Sequence, residues 1–318
     1  MTTKKMEAIS IAGLDKPVSK LILGSMLLND ERMDVSAELL DAYAAIGGNA
    51  MDTAQVYGPR GMGAIGKWSA ERGNRSGLVL IVKGAHHDEK GPRVTRAAVE
   101  ADLAYSLGLL KTDYADIFML HRDDPDKPVG EIVEMLQEPL QAGLCKALGA
   151  SNWTTARLDA ANAYAEAHGL TGFACNSPNL SLARANEPRW PGCVSTDADD
   201  LAWHERTQLP LLSWSSQAAG FFTGRYAPER RDNEEIVRVY YSDDNWERYR
   251  RATLLGEAKG ADANQIALAY VLHQSFPTCA LIGPANAEEL RSSAKALDVA
   301  LTPEEIRWLD LKDDSLKR

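Results

Sequence analysis

Cysteine is scarce and unpatterned: Cys145, Cys175, Cys193 and Cys279 are all there is, and no two of them stand in a CxxC spacing. Neither a zinc knuckle nor a dithiol redox motif can be assembled from them locally, so reduced, buried thiols are expected. Long apolar runs are missing too. No stretch reaches the roughly 18 apolar residues of a membrane span, and the opening MTTKKMEAIS lacks the apolar segment of a signal peptide. A cytoplasmic chain is expected. Positive charge is in deficit, with 35 Lys and Arg against 45 Asp and Glu and a net charge of -10. Nucleic acids and anionic membranes draw their affinity from clustered cations, which excludes both as natural partners. A small molecule is the expected partner, and composition leaves the oligomeric state open.

What the 318 residues do contain is a period. Short apolar runs, KLILG (20–24), NAMDT (49–53), LVLIVK (78–83), YADIFMLH (114–121), KALGAS (146–151), FACN (173–176), LPLLSW (209–214) and CALI (279–282), alternate with amphipathic stretches. Most runs are continuously apolar, as parallel strands covered on both faces must be. Helical spacing marks 35–46, 93–107, 129–142, 154–168, 263–274 and 287–297, several with start signals such as Pro128 and Asp262. This repetition predicts an α/β fold, a (β/α)8 TIM barrel forming a single domain over 1–318, with an N-terminal hairpin turning at 13–17. Such a barrel needs about 250 residues. Two stretches, 184–203 and 221–250, take up the surplus as long irregular loops after the sixth and seventh strands. Both then lie on the C-terminal rim, where this architecture carries its active site.

Three runs end in a titratable residue just as the strand leaves the barrel: Asp52, Lys83 and His121. Their strands are neighbours, and Tyr57 lies in the loop after Asp52. A phenol is a poor acid near neutral pH unless a cation stabilises its phenolate. Lys83 supplies that cation in this reading, Asp52 keeps the lysine charged despite burial, and His121 orients a substrate carbonyl. Together the four predict a proton-transfer site. The rim residues His86, His87, Arg122, Asp123 and Asp124 suggest a hydroxylated substrate such as a sugar or polyol, with Trp190 and Trp246 available to stack on it.

Two other patterns compete. Gly61 to Gly66 satisfies GxGxxG and, with Lys67, nearly completes a phosphate-binding loop, but Trp68 stands where a metal-binding hydroxyl is required. It reads better as a flexible rim turn into a short helix. His86, His87 and Asp88 with His121, Asp123 and Asp124 sketch a metal-dependent barrel hydrolase, against which the Lys83 ammonium and the lack of HxH or HExxH spacing both weigh. No metal is expected.

GGNAMDTAQVYG (47–58), LVLIVKG (78–84), LGLLKTDYADIFMLHRDD (107–124) and LQAGLCKALGASNW (140–153) resemble the aldo-keto reductase family from about Leu21 to about Leu309. The resemblance implies an NAD(P)H-dependent oxidoreductase reducing an aldehyde or ketone, with Asp52, Tyr57, Lys83 and His121 catalytic and Tyr57 the proton donor. It implies cofactor contacts at Ser25, Met26, Asp52, Ser151, Asn152, Ser177, Trp214, Ser215, Ser216, Gln217, Gly220, Gly283, Ala285, Glu289 and Ser293. Ser151 and Asn152 correspond to the pair that holds the nicotinamide carboxamide, Trp214 to the ring beneath the nicotinamide, and CALIGPANAEEL (279–290) to the adenosine end. Ala285 stands where many members carry an arginine for the 2′-phosphate, so NADP(H) and NAD(H) both remain open. With Asn176 and Ser177 in place of the family's strand-six glutamine, either could meet the carboxamide. The chain stops soon after Leu309, and no long C-terminal loop is expected over the pocket. Some relatives serve as nicotinamide-binding regulatory subunits, an alternative that the four intact site residues oppose without excluding a double role.

Overall fold

The computed structural model describes residues 6–314; residues 1–5, with the basic start of the chain, and 315–318 lie outside it. A short antiparallel pair, β1 (Ala8–Ile9) and β2 (Val18–Ser19), comes first. Then follow β3 (Leu21–Gly24), α1 (Met33–Ala45), β4 (Ala50–Ala54), α2 (Pro59–Arg72), β5 (Val79–Gly84), α3 (Arg96–Leu110), β6 (Ala115–Leu120), α4 (Val129–Gln141), β7 (Cys145–Ser151) and α5 (Thr155–Ala167). The chain continues through β8 (Phe173–Ser177), α6 (Ala198–Thr207), β9 (Leu211–Ser213), α7 (Glu234–Tyr240), α8 (Asp243–Lys259), α9 (Ala263–Leu272), β10 (Thr278–Ile282), α10 (Ala287–Ala294) and α11 (Pro303–Leu309).

Strands β3 to β10 pair in chain order, all parallel, and β10 returns to β3 to close the barrel. The expected (β/α)8 architecture and its N-terminal hairpin are both present. Every second residue points inward, so Ile22, Ala50, Val79, Ile81, Ile117, Met119, Ala147, Cys175, Leu212 and Cys279 fill the barrel as one apolar cluster. Ile11 and Val18 of the hairpin join that cluster, stoppering the end away from the site. The alternate residues face the helices and form the larger outer core.

The surplus stretches are more ordered than their composition suggests. Within 184–203 the helix α6 begins at Asp197, which caps it through a reciprocal box with Asp200. Within 221–250, Asn233 and Ser242 cap α7 and α8. The irregular-loop expectation holds for 184–197 and is corrected for 221–250, where capped helices replace much of the loop.

The glycine-rich 61–66 segment is likewise no flexible turn. It lies inside α2, which opens on Pro59 and ends on left-handed Gly73. Its glycines permit close packing: a Cβ on Gly61 would stand 2.3 Å from the Ser25 carbonyl oxygen, and one on Gly66 2.2 Å from that of Leu109. Gly66→Ala is therefore expected to destabilise the protein by about 1–3 kcal/mol through overpacking, although alanine is the better helix former by about 1 kcal/mol. Urea unfolding decides it; equal or greater stability in the variant would contradict the close-packing account.

Candidate active site

Asp52 on β4, Lys83 on β5 and His121 just past β6 come together because adjacent parallel strands deliver their C-terminal ends to one mouth. All three are buried. The Lys83 ammonium donates to both carboxylate oxygens of Asp52. After β4 the chain makes one 3-10 turn, Gln55–Tyr57, and leaves it through Gly58 at φ +81°. That turn places the Tyr57 ring centroid 5.4 Å from Lys83 Nζ and, edge to face, 5.6 Å from the His121 ring.

Burial is the largest influence on each of these groups. It pushes the Tyr57 phenol above its ordinary value, outweighing the opposing pull of Lys83. The expectation that Lys83 would make the phenol more acidic is thus only partly met: the cation limits the rise without reversing it. Burial also works against the Lys83 ammonium, but the Asp52 carboxylate and the Tyr57 oxygen hold it above the ordinary lysine range. Asp52 is itself raised by burial, against the pull of Lys83. His121 is driven well below the usual histidine range by burial and then by the Lys83 and Arg122 charges, so it is neutral. Its Nδ1 is buried without a hydrogen-bond partner.

This mouth opens into a cavity of about 1180 Å³ that runs from the four residues past Ser151, Asn152 and Trp214 to Ser215, Ser216, Gln217 and Gly220, and on to Gly283, Glu289 and Ser293. Met26, His86, His87, Arg122 and Trp190 line it as well. Asn152, at φ +60°, has its whole amide engaged: Nδ2 donates to the His121 carbonyl and to Ser151 Oγ, while Oδ1 accepts from Trp214 Nε1 and the Val194 amide. It therefore fixes the Trp214 ring relative to the ends of β6 and β7.

Other residues anticipated from the sequence are not brought to the cavity wall. Ser25 lies behind Met26, its carbonyl packed on Gly61. Ser177 gives its hydroxyl to the Leu212 carbonyl, and Asn176, buried with an unpartnered Oδ1, does not line the cavity either. Ala285 turns its amide onto the Glu289 carboxylate. Asp123 is taken by Arg157, which removes a carboxylate from the imagined metal site; among the described residues no three His, Cys, Asp or Glu are placed to hold a metal ion. Trp246 packs against Phe221, at 4.7 Å, and Tyr241 instead. Conversely, sequence reasoning missed Leu27, Val56, Arg189, Cys193, Arg225, Asn264 and Ser292, all on the wall. Asn264 had a signal, since it follows the Asp262 cap at a strand-eight-facing helix start; the others had none.

The wall fits an extended dinucleotide. Ser215, Ala218, Ala219 and Gly220 all adopt left-handed backbone, the kind of turn that forms an anion-binding concavity. Arg189 reaches Ser215 Oγ at 3.0 Å, and Arg225 lies on the same stretch. At the far end Asn264 Oδ1 is buried without a partner, an acceptor suited to a nucleoside donor.

Similarity to known proteins agrees with this geometry. Residues 20–314 match the model of the aldo/keto reductase family. Norsolorinic acid reductase stcV of Emericella nidulans is 31% identical, over 91% of this chain and 76% of that protein. Aryl-alcohol dehydrogenase [NADP(+)] of Phanerodontia chrysosporium is 28% identical over 92% and 82% respectively. A thermostable aldo-keto reductase crystallised with the inhibitor epalrestat superposes with a TM-score of 0.74 at 22% identity, over 97% of this chain and 100% of that one, a likeness of fold. No helix among the described residues is long and apolar enough to cross a membrane. With the family match spanning nearly its whole length, the chain belongs to the aldo/keto reductase family and is an NAD(P)H-dependent reductase.

Proposed function

We propose that the protein reduces an aromatic aldehyde or ketone, with Tyr57 as the proton donor. The observation that carries this reading is the apolar rim in front of the site. Met26, Leu27, Val56 and Trp190 are 67%, 59%, 49% and 41% exposed, and all four line the cavity. Exposed apolar groups gathered at one opening mark a binding surface for an apolar ligand. The aryl-alcohol dehydrogenase named above is a relative whose name fits the same chemistry. His86, His87 and Arg122, also on the cavity wall, favour a second reading, a hydroxylated aldehyde of the sugar or polyol type.

A reduced nicotinamide bound along the cavity supplies a hydride to the carbonyl carbon. The chain's own residues do the rest. Tyr57 gives its phenolic proton to the carbonyl oxygen, and Lys83 stabilises the phenolate left behind. Asp52 keeps Lys83 charged in a setting that would otherwise strip its proton. Neutral His121 orients the carbonyl by a hydrogen bond. Trp214, held through Asn152, offers a flat face to the nicotinamide, and Ser151 lies beside it. The left-handed turn from Ser215 to Gly220 takes the diphosphate, and Asn264, Glu289 and Ser293 take the adenosine end. A cytoplasmic location belongs to the same reading, supported by four buried, unpaired thiols.

Fluorescence titration tests this directly, because Trp214 and Trp190 stand at the site. Saturable quenching by NADPH or NADH is expected, followed by turnover of benzaldehydes well above that of aldoses with the tighter nucleotide. A protein indifferent to both nucleotides overturns the reading. Binding without turnover of any carbonyl would instead make it a regulatory subunit, and faster aldose reduction would favour the polyol alternative.

A further inference from the structure

Directly after His121, Arg122 is 7% exposed and lines the cavity. Nη1 donates to the His121 carbonyl at 2.9 Å and Nη2 to Cys193 Sγ at 3.2 Å. Its Nε is buried with no partner at all. Among the described residues no carboxylate comes within ion-pairing range of this guanidinium, whereas Lys83 has Asp52 and Arg189 has Glu235. The nearest acid along the chain, Asp123, is turned outward to Arg157. A buried guanidinium served only by a carbonyl and a thiol is poorly compensated, because removing a charge from water is costly unless an anion goes with it.

Nε itself is shut in, with a Cβ on Gly192 standing 3.6 Å from it, so an anion in the cavity meets the side of the guanidinium that lines the wall and pairs with a charge the protein leaves uncompensated. The reacting centre is close by, since Arg122 follows His121, donates to its carbonyl and shares the cavity wall with Tyr57 and His86. Two partly buried imidazoles, His86 and His87, flank it with ring centroids 4.3 Å apart. The diphosphate turn at Ser215 to Gly220 belongs to a different strand end, after β9, so the cofactor's phosphates do not account for this cation.

We propose that Arg122 is a specificity-determining residue for a carboxylate: the substrate is an aromatic carbonyl compound carrying an acid group, paired with the Arg122 guanidinium while the carbonyl faces Tyr57. This rests on the carbonyl-reductase reading above and narrows it to one substrate class. The apolar rim holds the ring, and the guanidinium supplies the charge that neutral aldehydes leave uncompensated.

The test compares isosteres that differ in charge alone, 3- and 4-formylbenzoate against 3- and 4-formylbenzamide, with the full-length protein and its preferred reduced nucleotide. At least one acid is expected to exceed its amide in kcat/KM by roughly tenfold or more, the scale of a hydrogen bond to a charged group. In Arg122→Gln that ratio should fall toward one, mainly through KM for the acid, and Arg122→Lys should restore part of it. Tryptophan fluorescence of the nucleotide-free protein gives a readout independent of turnover: 4-(hydroxymethyl)benzoate should bind wild type, chloride should not displace it, and Arg122→Gln should bind it at least tenfold more weakly. Equal kcat/KM for acid and amide in wild type, or an acid preference that survives in folded Arg122→Gln, overturns the proposal. If no carbonyl is turned over, the reductase reading falls, and the carboxylate titration alone then decides the role of Arg122.

Discussion

Tyr57→Phe is expected to lower kcat by about two orders of magnitude or more, the usual loss when an acid catalyst is removed, while the affinity for reduced nucleotide stays unchanged. The substitution deletes one oxygen from a ring that is held by its turn and by His121, so the cavity keeps its shape. The group assigned to orient the carbonyl cannot substitute: His121 is neutral because burial and the Lys83 and Arg122 charges lower it, and a neutral imidazole is a far weaker acid than a phenol. Retention of more than a tenth of wild-type kcat would move the proton source elsewhere. The pH profile is a second check on the same residue. Burial raises Tyr57, and reduction needs the phenol protonated, so the wild-type rate should be level through the neutral range and fall only above about pH 10. Alcohol oxidation needs the phenolate and should climb over that same range. A reduction rate that instead falls away around pH 7 would assign the proton to a different group.

The barrel was legible because its strands are buried on both faces and therefore read as unbroken apolar runs, which a polar loop cannot imitate. The ends of three such runs gave Asp52, Lys83 and His121 in the right place, since strand order follows chain order in this fold. Three kinds of information were not legible. Glycines inside α2 look like a turn from their composition, and only the neighbouring carbonyls of Ser25 and Leu109 show why a helix must contain them. The helix α8 is so rich in arginine that no apolar stripe announces it, yet Arg248 and Arg251 are buried in the fold, Arg251 through Glu247 and Asp314. Last, the partner of a rim residue depends on side-chain geometry alone: Arg122 and Asp123 are adjacent and opposite in charge, and they face different surroundings. The same applies to Trp190, on a loop, and Trp246, in the first turn of α8, of which one reaches the cavity and the other an aromatic cluster.

Lys83→Met should cost both activity and stability, and the second loss is the more informative. Asp52 has Lys83 as its counter-charge, and their side chains are only 5% and 3% exposed. Breaking a buried ion pair from one side leaves a charge that neither water nor protein compensates, at a cost of about 3–5 kcal/mol. Neutralising the survivor removes most of that cost, so Asp52→Asn combined with Lys83→Met should unfold at a urea concentration nearer to wild type than the single variant does. Activity behaves differently. Both the single and the double variant lose the ammonium that lies against the Tyr57 ring, so both should be about a hundredfold or more slower in carbonyl reduction. The pattern of recovered stability with unrecovered catalysis is specific to a lysine that is balanced by one neighbour and used by another. A single variant as stable as wild type would mean that Asp52 is not charged in the folded protein, and the electrostatic reason for placing an ammonium next to Tyr57 would go with it.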